Sequence, residues 1–330
     1  MSKEGDRSFQ PLEAVLPCPD LLEAVEFFTN RLGFRLDMIV PADAPRVAVV
    51  SGHGISLRLE LSQASEASAS VVEGLIVSRM NSADAWHVGR AGMEYRDLIP
   101  GRLGGRFIAS HIRIPGGGDV PDYVHYHKVR FQMIYCKAGW VRVVYEDQGE
   151  PFVFQAGDCV LQAPEIRHRV LEASPRLEVI EIGSPAIHET FVDHEIQLPT
   201  GRVLPERLFG GQRFVRHIAS EAAWTTSPIA GCEMRDTGIA AATNGLASAR
   251  IHRLLAKTSA VTHRHEGEFQ FLFVLNGALV FDSREEGRHQ LLAGDSCVIP
   301  AGQDFSFEAG AGLELLEVSW PADLLLTSSF

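Results

Sequence analysis

At 330 residues and 45% apolar content, the chain is long enough for two or three domains with cores of their own, and its composition is neither disordered nor fibrous. A formal net charge of −12 argues against nucleic acid or an anionic membrane as partner. No basic segment followed by an apolar stretch opens the sequence, and no apolar run is long enough to span a bilayer, so a cytoplasmic protein without signal peptide or membrane helix is expected.

Cys18, Cys136, Cys159, Cys232 and Cys297 include no CxxC pair and read as small buried apolar residues rather than disulfides or zinc thiolates. Residues 9–62 read as strand, helix and three strands. LEAVLPC is extended and Asp20 is placed to cap a helix. Leu21, Leu22, Val25, Phe28 and Leu32 then recur at helical spacing, and Gly33 is the stop. RLDMIV, RVAVVSG and ISLRLEL follow as alternating strands separated by PADAP and GHG turns. This βαβββ order, with the helix AVEFFTNRLGF, resembles one module of the vicinal-oxygen-chelate family, which includes glyoxalases and extradiol dioxygenases. The positions corresponding to that family's ligands hold Glu13 and Glu60, and the usual first-strand histidine is missing. A single module is half of such a site, so the resemblance implies a packing module that pairs with a second copy, making the chain a homodimer.

Residues 63–82 begin Ser/Ala-rich and read as a linker with a short helix. Everything beyond is a repeat. ADAWHVGRAGMEYRD at 83–97 recurs as EAAWTTSPIAGCEMRD at 221–236, and HYHKVRFQ at 125–132 recurs 138 residues later as HRHEGEFQ. Gly139 answers to Gly277, AGDC at 156–159 to AGDS at 293–296, and SPA at 184–186 to WPA at 320–322. So long a period means a duplicated domain rather than a solenoid, and the many short alternating strands with Gly, Pro and Asp turns predict jelly-roll barrels. The first barrel spans 83–186 and the second 221–325, with 187–220 a loop-rich bridge.

His125 and His127 lie two apart in a β-prone run and so share one face of a strand. Gln132, Gly139, Gly157 and His168 follow. Two imidazoles on one strand, an amide oxygen on the next and a third imidazole from a later strand can surround a divalent ion. These segments resemble the paired signatures of the cupin superfamily, with Gln132 where that family usually has Glu and with Pro164 shifted by one. The resemblance implies a bicupin, a mainly β chain (α+β overall) of βαβββ module and two jelly-roll barrels.

The same resemblance implies one divalent transition metal per chain (Fe, Zn, Ni or Mn) on His125, His127, Gln132 and His168. A neutral amide in place of a carboxylate removes one negative charge and leaves a stronger Lewis acid. In the second barrel His263, His265 and Gln270 repeat the pattern, but Phe305 stands where His168 does, so a degenerate barrel with at most a weak site is expected; Glu268 is the one substitute ligand within reach. Arg113 and Glu181 are candidates for holding a carboxylate and acting as base. Tyr126 and Lys128 alternate away from the histidine face, and Tyr123 and Arg130 flank it; His188 and His194 form only a weak HxxxxxH pattern. The expected function is a metal-dependent enzyme on a small oxygen-rich molecule, either a non-haem dioxygenase or a metal-assisted isomerase, cyclase or lyase. The alternative is a non-catalytic binding protein.

Overall fold

A computed structural model describes residues 14–62, 74–82, 86–89, 93–227, 229, 231–257, 261–324 and 327–329. Its first unit is the expected βαβββ succession: strand Ala14–Cys18, helix Leu21–Glu26, and strands Arg35–Val40, Val47–Gly52 and Ile55–Leu61. The Asp20 side chain accepts from the Glu23 N–H at 2.9 Å, as an N-cap should. The α-helical part is shorter than its apolar spacing predicts. It widens into a π turn over Phe27–Arg31, where Thr29 Oγ1 donates back to the Val25 carbonyl at 2.8 Å. Leu21, Cys18, Ile39, Ala48, Val50 and Leu59 make the small core between helix and sheet.

Two barrels follow, each built from a large and a small sheet. The large sheet of the first runs through Trp86–Val88, Glu94–Asp97, Ile108–Ile114, Leu177–Ser184, Phe131–Ala138, Cys159–Leu161 and Val215–His217. That of the second runs through Thr225–Thr226, Cys232–Asp236, Ser248–Leu254, Glu314–Trp320, Phe269–Asn276, Ser296–Ile299 and Ile76–Ser78, so the duplication holds strand by strand. These two sheets pack face to face. Phe131, Met133, Ile180 and Ile182 of one meet Phe269, Phe271, Phe273 and Leu316 of the other, and Phe107 stacks on Phe269 with ring centroids 4.2 Å apart. Strands sandwiched in this way are buried on both faces, which blurs the polar–apolar alternation.

Both segments read as connectors turn out to supply strands. Ile76–Ser78 pairs with Ser296–Ile299 of the second barrel, and Val215–His217 pairs with Cys159–Leu161 of the first. The two therefore occupy equivalent places in the repeat, and each is donated by the segment preceding the other barrel. Thr190–Val192, also in the expected bridge, lies between His125–His127 and Arg35–Val40, joining the small sheet of the first barrel to the N-terminal module in one ten-stranded sheet. Three-residue strands flanked by Pro, Gly and charged residues carry too short an alternation to be recognised from sequence. The rest of the bridge is tied down by Asp147, fully buried, whose carboxylate accepts from Thr200, Arg202 and Arg207. Among the described residues no helix is long and apolar enough to cross a membrane.

Candidate metal centre in the first barrel

His125 and His127 project from one short strand, and His168 opens the next, with His125 and His168 as direct Cα partners. The ring centroids are 4.2 Å (His125–His168), 5.1 Å (His125–His127) and 5.2 Å (His127–His168) apart. One nitrogen of each ring falls within 4.8 Å of those of the other two, and all three residues are buried. Their orientations are fixed from behind. His125 Nδ1 donates to the Tyr123 carbonyl at 2.8 Å and His168 Nδ1 to the Ile166 carbonyl at 3.0 Å. His127 Nδ1 shares a 2.9 Å hydrogen bond with the Thr190 hydroxyl. Nδ1–H bonds to oxygen place the lone pair on Nε2, the tautomer a metal requires. Asp122 adds a buried carboxylate oxygen 3.5 Å from His125 Nδ1. Three imidazoles converging in a buried lumen fit a divalent transition metal.

Gln132 is held on both sides. Its Nε2 donates to Glu181 Oε1 at 3.1 Å, and its Oε1 accepts from Gln162 Nε2 at 3.1 Å. Gln162 Oε1 in turn accepts from the Tyr145 hydroxyl at 2.7 Å, and the Tyr145 ring stacks on His168 at 5.4 Å. Burial pushes the Tyr145 phenol far above its ordinary value, so it stays a donor. The chain Tyr145–Gln162–Gln132–Glu181 thus forms a continuous polar wall, with Gln132 as a link in it. Tyr145 and Gln162 were not singled out from sequence, since nothing marks a Tyr or Gln on a strand until the register is known.

Glu181 lines the lumen, as expected, but Arg113 does not. Ile112 and Ile114 face the lumen, so alternation turns Arg113 outward, where it ion-pairs with Glu94 and lies 3.9 Å over the Trp86 ring. Arg113, a candidate for holding a substrate carboxylate, is thus placed outside the lumen that Glu181 lines. Tyr126 and Lys128 do face away, against Phe191. His188 and His194 part company. His188 lines the lumen with its ring 5.6 Å from that of His127, and its Nδ1 donates to the Pro185 carbonyl at 2.9 Å. Burial lowers its pKa, against the charge of nearby Asp43. His194 instead reaches the Leu36 carbonyl and Asp37 of the N-terminal module.

Apart from Asp43 and Tyr95 the remaining lining is apolar, including Val141, Val143, Phe154, Val170, Leu177 and Val179, and it contains no Lys or Arg among the described residues. Pairing of Tyr145 with His168 and of Val143 with Val170 places this apolar part on the opposite side of the histidine rung from His127.

The second barrel keeps the frame and loses the site. His263 pairs with Phe305 as His125 does with His168, and Gln270 Nε2 donates to Glu317 at 3.0 Å. Phe305 packs with Phe281 and Phe307 in the lumen, and among the described residues no cluster of potential metal ligands forms there. Glu268 is half exposed and 3.6 Å from Arg106, away from the lumen. In the N-terminal module Glu60 pairs with Arg58 at the surface, while Glu13 lies outside the described residues.

Residues 251–319, most of the second barrel, match the sequence model of Cupin_2, described as Cupin domain. A search of curated proteins found no match. Among solved structures, salicylate 1,2-dioxygenase from Pseudaminobacter salicylatoxidans aligns at 16% identity and TM-score 0.54 over 71% of this chain and 80% of its own. Oxalate decarboxylase from Lactobacillus farciminis aligns at 15% identity and TM-score 0.54 over 78% and 89%. An oxalate decarboxylase mutant from Bacillus subtilis aligns at 13% and 0.53 over 78% and 80%. The chain has the mainly β, two-barrel cupin fold of these proteins, with an N-terminal βαβββ module joined to its first barrel.

Proposed function

We propose that the chain is a metal-dependent enzyme that acts on a small oxygen-rich organic molecule in the lumen of the first barrel. The observation that carries this reading is the convergence of three buried imidazoles, each held at Nδ1 by its own oxygen partner. His125, His127 and His168 hold the ion, which when bound supplies Lewis acidity or redox chemistry toward a chelating substrate. Glu181, fixed by Gln132, is the group in the lumen suited to accept a proton from that substrate. The apolar walls exclude water and receive the hydrocarbon part of the substrate.

That lining separates the activities of the structurally similar proteins. Oxalate has no hydrocarbon body to fill the apolar walls of this lumen, whereas an aromatic chelator of the salicylate kind packs against them beside the histidines. The dioxygenase-like reading is therefore preferred to decarboxylation. A homodimer through the N-terminal module is supported by Leu16, Leu22, Phe27, Leu32 and Ile55, which are exposed around its edge strand and helix.

The test is elemental analysis of wild type and His168→Ala, purified without chelators or affinity-tag metal, followed by oxygen-uptake assays with hydroxybenzoates, catechols and diketones. Near one equivalent of metal in wild type, lost in the variant, with oxygen consumption, is the expected result. Turnover without oxygen uptake would favour an isomerase, cyclase or lyase. Binding of compounds with no turnover would leave a binding protein. Absence of metal after reconstitution would refute the metalloenzyme.

A further inference from the structure

The lumen of the first barrel is completed by two residues from outside it. Ala42 and Asp43, in the turn between Arg35–Val40 and Val47–Gly52 of the N-terminal module, line the same cavity as the three histidines. Asp43 is 6% exposed. The barrel holds this turn in place at several points. Arg102 donates to Asp43 Oδ2, and His87 Nε2 donates to the Asp43 carbonyl at 3.1 Å. Gly89 packs so closely that a Cβ there would sit 2.7 Å from that carbonyl oxygen. The other carboxylate oxygen, Oδ1, is buried and has no hydrogen-bond partner. A buried carboxylate oxygen left without a donor is costly, and such atoms occur where a ligand or water completes the set.

We propose that Asp43 is a substrate-binding residue whose Oδ1 accepts a hydrogen bond from a hydroxyl group of the ligand, at the end of the lumen opposite its apolar walls. The inference rests on the metal-centre reading above for the position of the ligand's chelating oxygens. Asp43 stands on the His127 side of the rung, beside His188, while Val143 and Val170 stand on the other. The ligand class is therefore an apolar, preferably aromatic, body with a chelating oxygen pair and a separate hydroxyl. Arg102 already offsets the charge of Asp43, which favours a neutral hydroxyl over an ammonium group. Arg102 is the positioning residue, since it fixes Oδ2 and thereby directs Oδ1.

The test uses four probes, 2-hydroxybenzoate and its 3-, 4- and 5-hydroxy derivatives, titrated calorimetrically into full-length wild type, Asp43→Asn and Asp43→Ala. Each protein is tested both metal-loaded and metal-stripped. The readout is the affinity ratio between the best dihydroxy probe and the parent. A hydrogen bond to a charged acceptor gives about tenfold or more in wild type. The ratio should fall to about one in Asp43→Ala and to an intermediate value in Asp43→Asn, which preserves the size of the side chain should the alanine variant fold poorly. A wild-type ratio near one for all three derivatives, the same ratio in Asp43→Ala as in wild type, or no binding by any probe would overturn the proposal. Metal stripping should weaken all four probes while preserving the ratio. If stripping changed nothing, the metal reading would fail while the ratio still decided the role of Asp43.

Discussion

Thr190→Val probes how the metal centre is tied to the N-terminal module. Thr190 is fully buried, its hydroxyl meets His127 Nδ1 at 2.9 Å, and its backbone pairs with both His127 and Ile39. Valine has the same shape, so the strand and its pairing survive and only the hydroxyl is lost. His127 then loses the partner that selects its tautomer and ring angle, and removal of such an outer partner costs about 10–100-fold in metal affinity, or about 1.4–2.7 kcal/mol. The effect on the metal-free fold is smaller, about 1 kcal/mol for one net hydrogen bond. Competition between a calibrated chelator and the protein for Co²⁺ or Zn²⁺ measures the first quantity, and urea unfolding of the stripped protein the second. Thr190→Ser, which keeps the hydroxyl, should restore affinity. An affinity for Thr190→Val within twofold of wild type, with unchanged circular dichroism, would refute the assignment of His127 as an oriented ligand.

Three further outcomes are expected. Burial alone would raise the Glu317 pKa, but hydrogen bonds from His252 and Gln270 outweigh it and bring it down to about 2. Because the folded value lies below the unfolded value of about 4.3, this stabilisation is present above that pH and disappears as pH falls toward 2. Acid titration monitored by circular dichroism should therefore show a shallower stability loss in that window for Glu317→Gln than for wild type. Phe271→Ala, at the fully buried face between barrels, should lower stability by about 3–5 kcal/mol in denaturant unfolding; a loss under 1 kcal/mol would mean that the two large sheets do not share a core. Phe305→His places an imidazole in the register position of His168 beside His263, and metal content should rise by a second, weaker equivalent; an unchanged content would show that the second barrel lacks more than one ligand.

Much of this arrangement was legible because the duplication provides its own ruler. Strand alternation put His125 and His127 on one face, the resemblance to the cupin signatures added His168, and comparing one copy with the other marked Phe305 as the position where the second copy lacks an imidazole. What escaped depends on contacts between elements distant in sequence. Asp43 sits in a PADAP turn that reads as surface loop, and it becomes part of a lumen only because Thr190–Val192 joins the module's sheet to the barrel. Arg113 was misdirected for a related reason. Its strand carries polar residues on each face, Ser110 on the lumen side with Ile108, Ile112 and Ile114, and His111 on the other side with Arg113, so alternation alone did not say which face was which.

The two barrels also serve as a physical control on each other. The Gln–Glu pair is present in both at nearly the same length, 3.1 Å for Gln132–Glu181 and 3.0 Å for Gln270–Glu317, so that pair follows from the frame and does not by itself mark a functional site. The difference lies in what is attached to it. In the first barrel Gln162 donates to Gln132 Oε1, and Tyr145 continues the chain to the face of His168. In the second, the register positions of Gln162, Tyr145 and His168 hold Ile299, Ser283 and Phe305, and Gln270 Oε1 is buried without a partner. An orphaned amide oxygen costs about 1–3 kcal/mol, so the second barrel retains a polar pair at a loss while filling its lumen with phenylalanine. The first barrel does the reverse: it gives up core packing to keep three imidazoles with their Nδ1 hydrogen bonds and the Tyr145–Gln162–Gln132–Glu181 chain around a lumen. A polar network completed in one copy and severed at three register positions in the other is the difference expected when one lumen holds a ligand and its duplicate only holds the fold together.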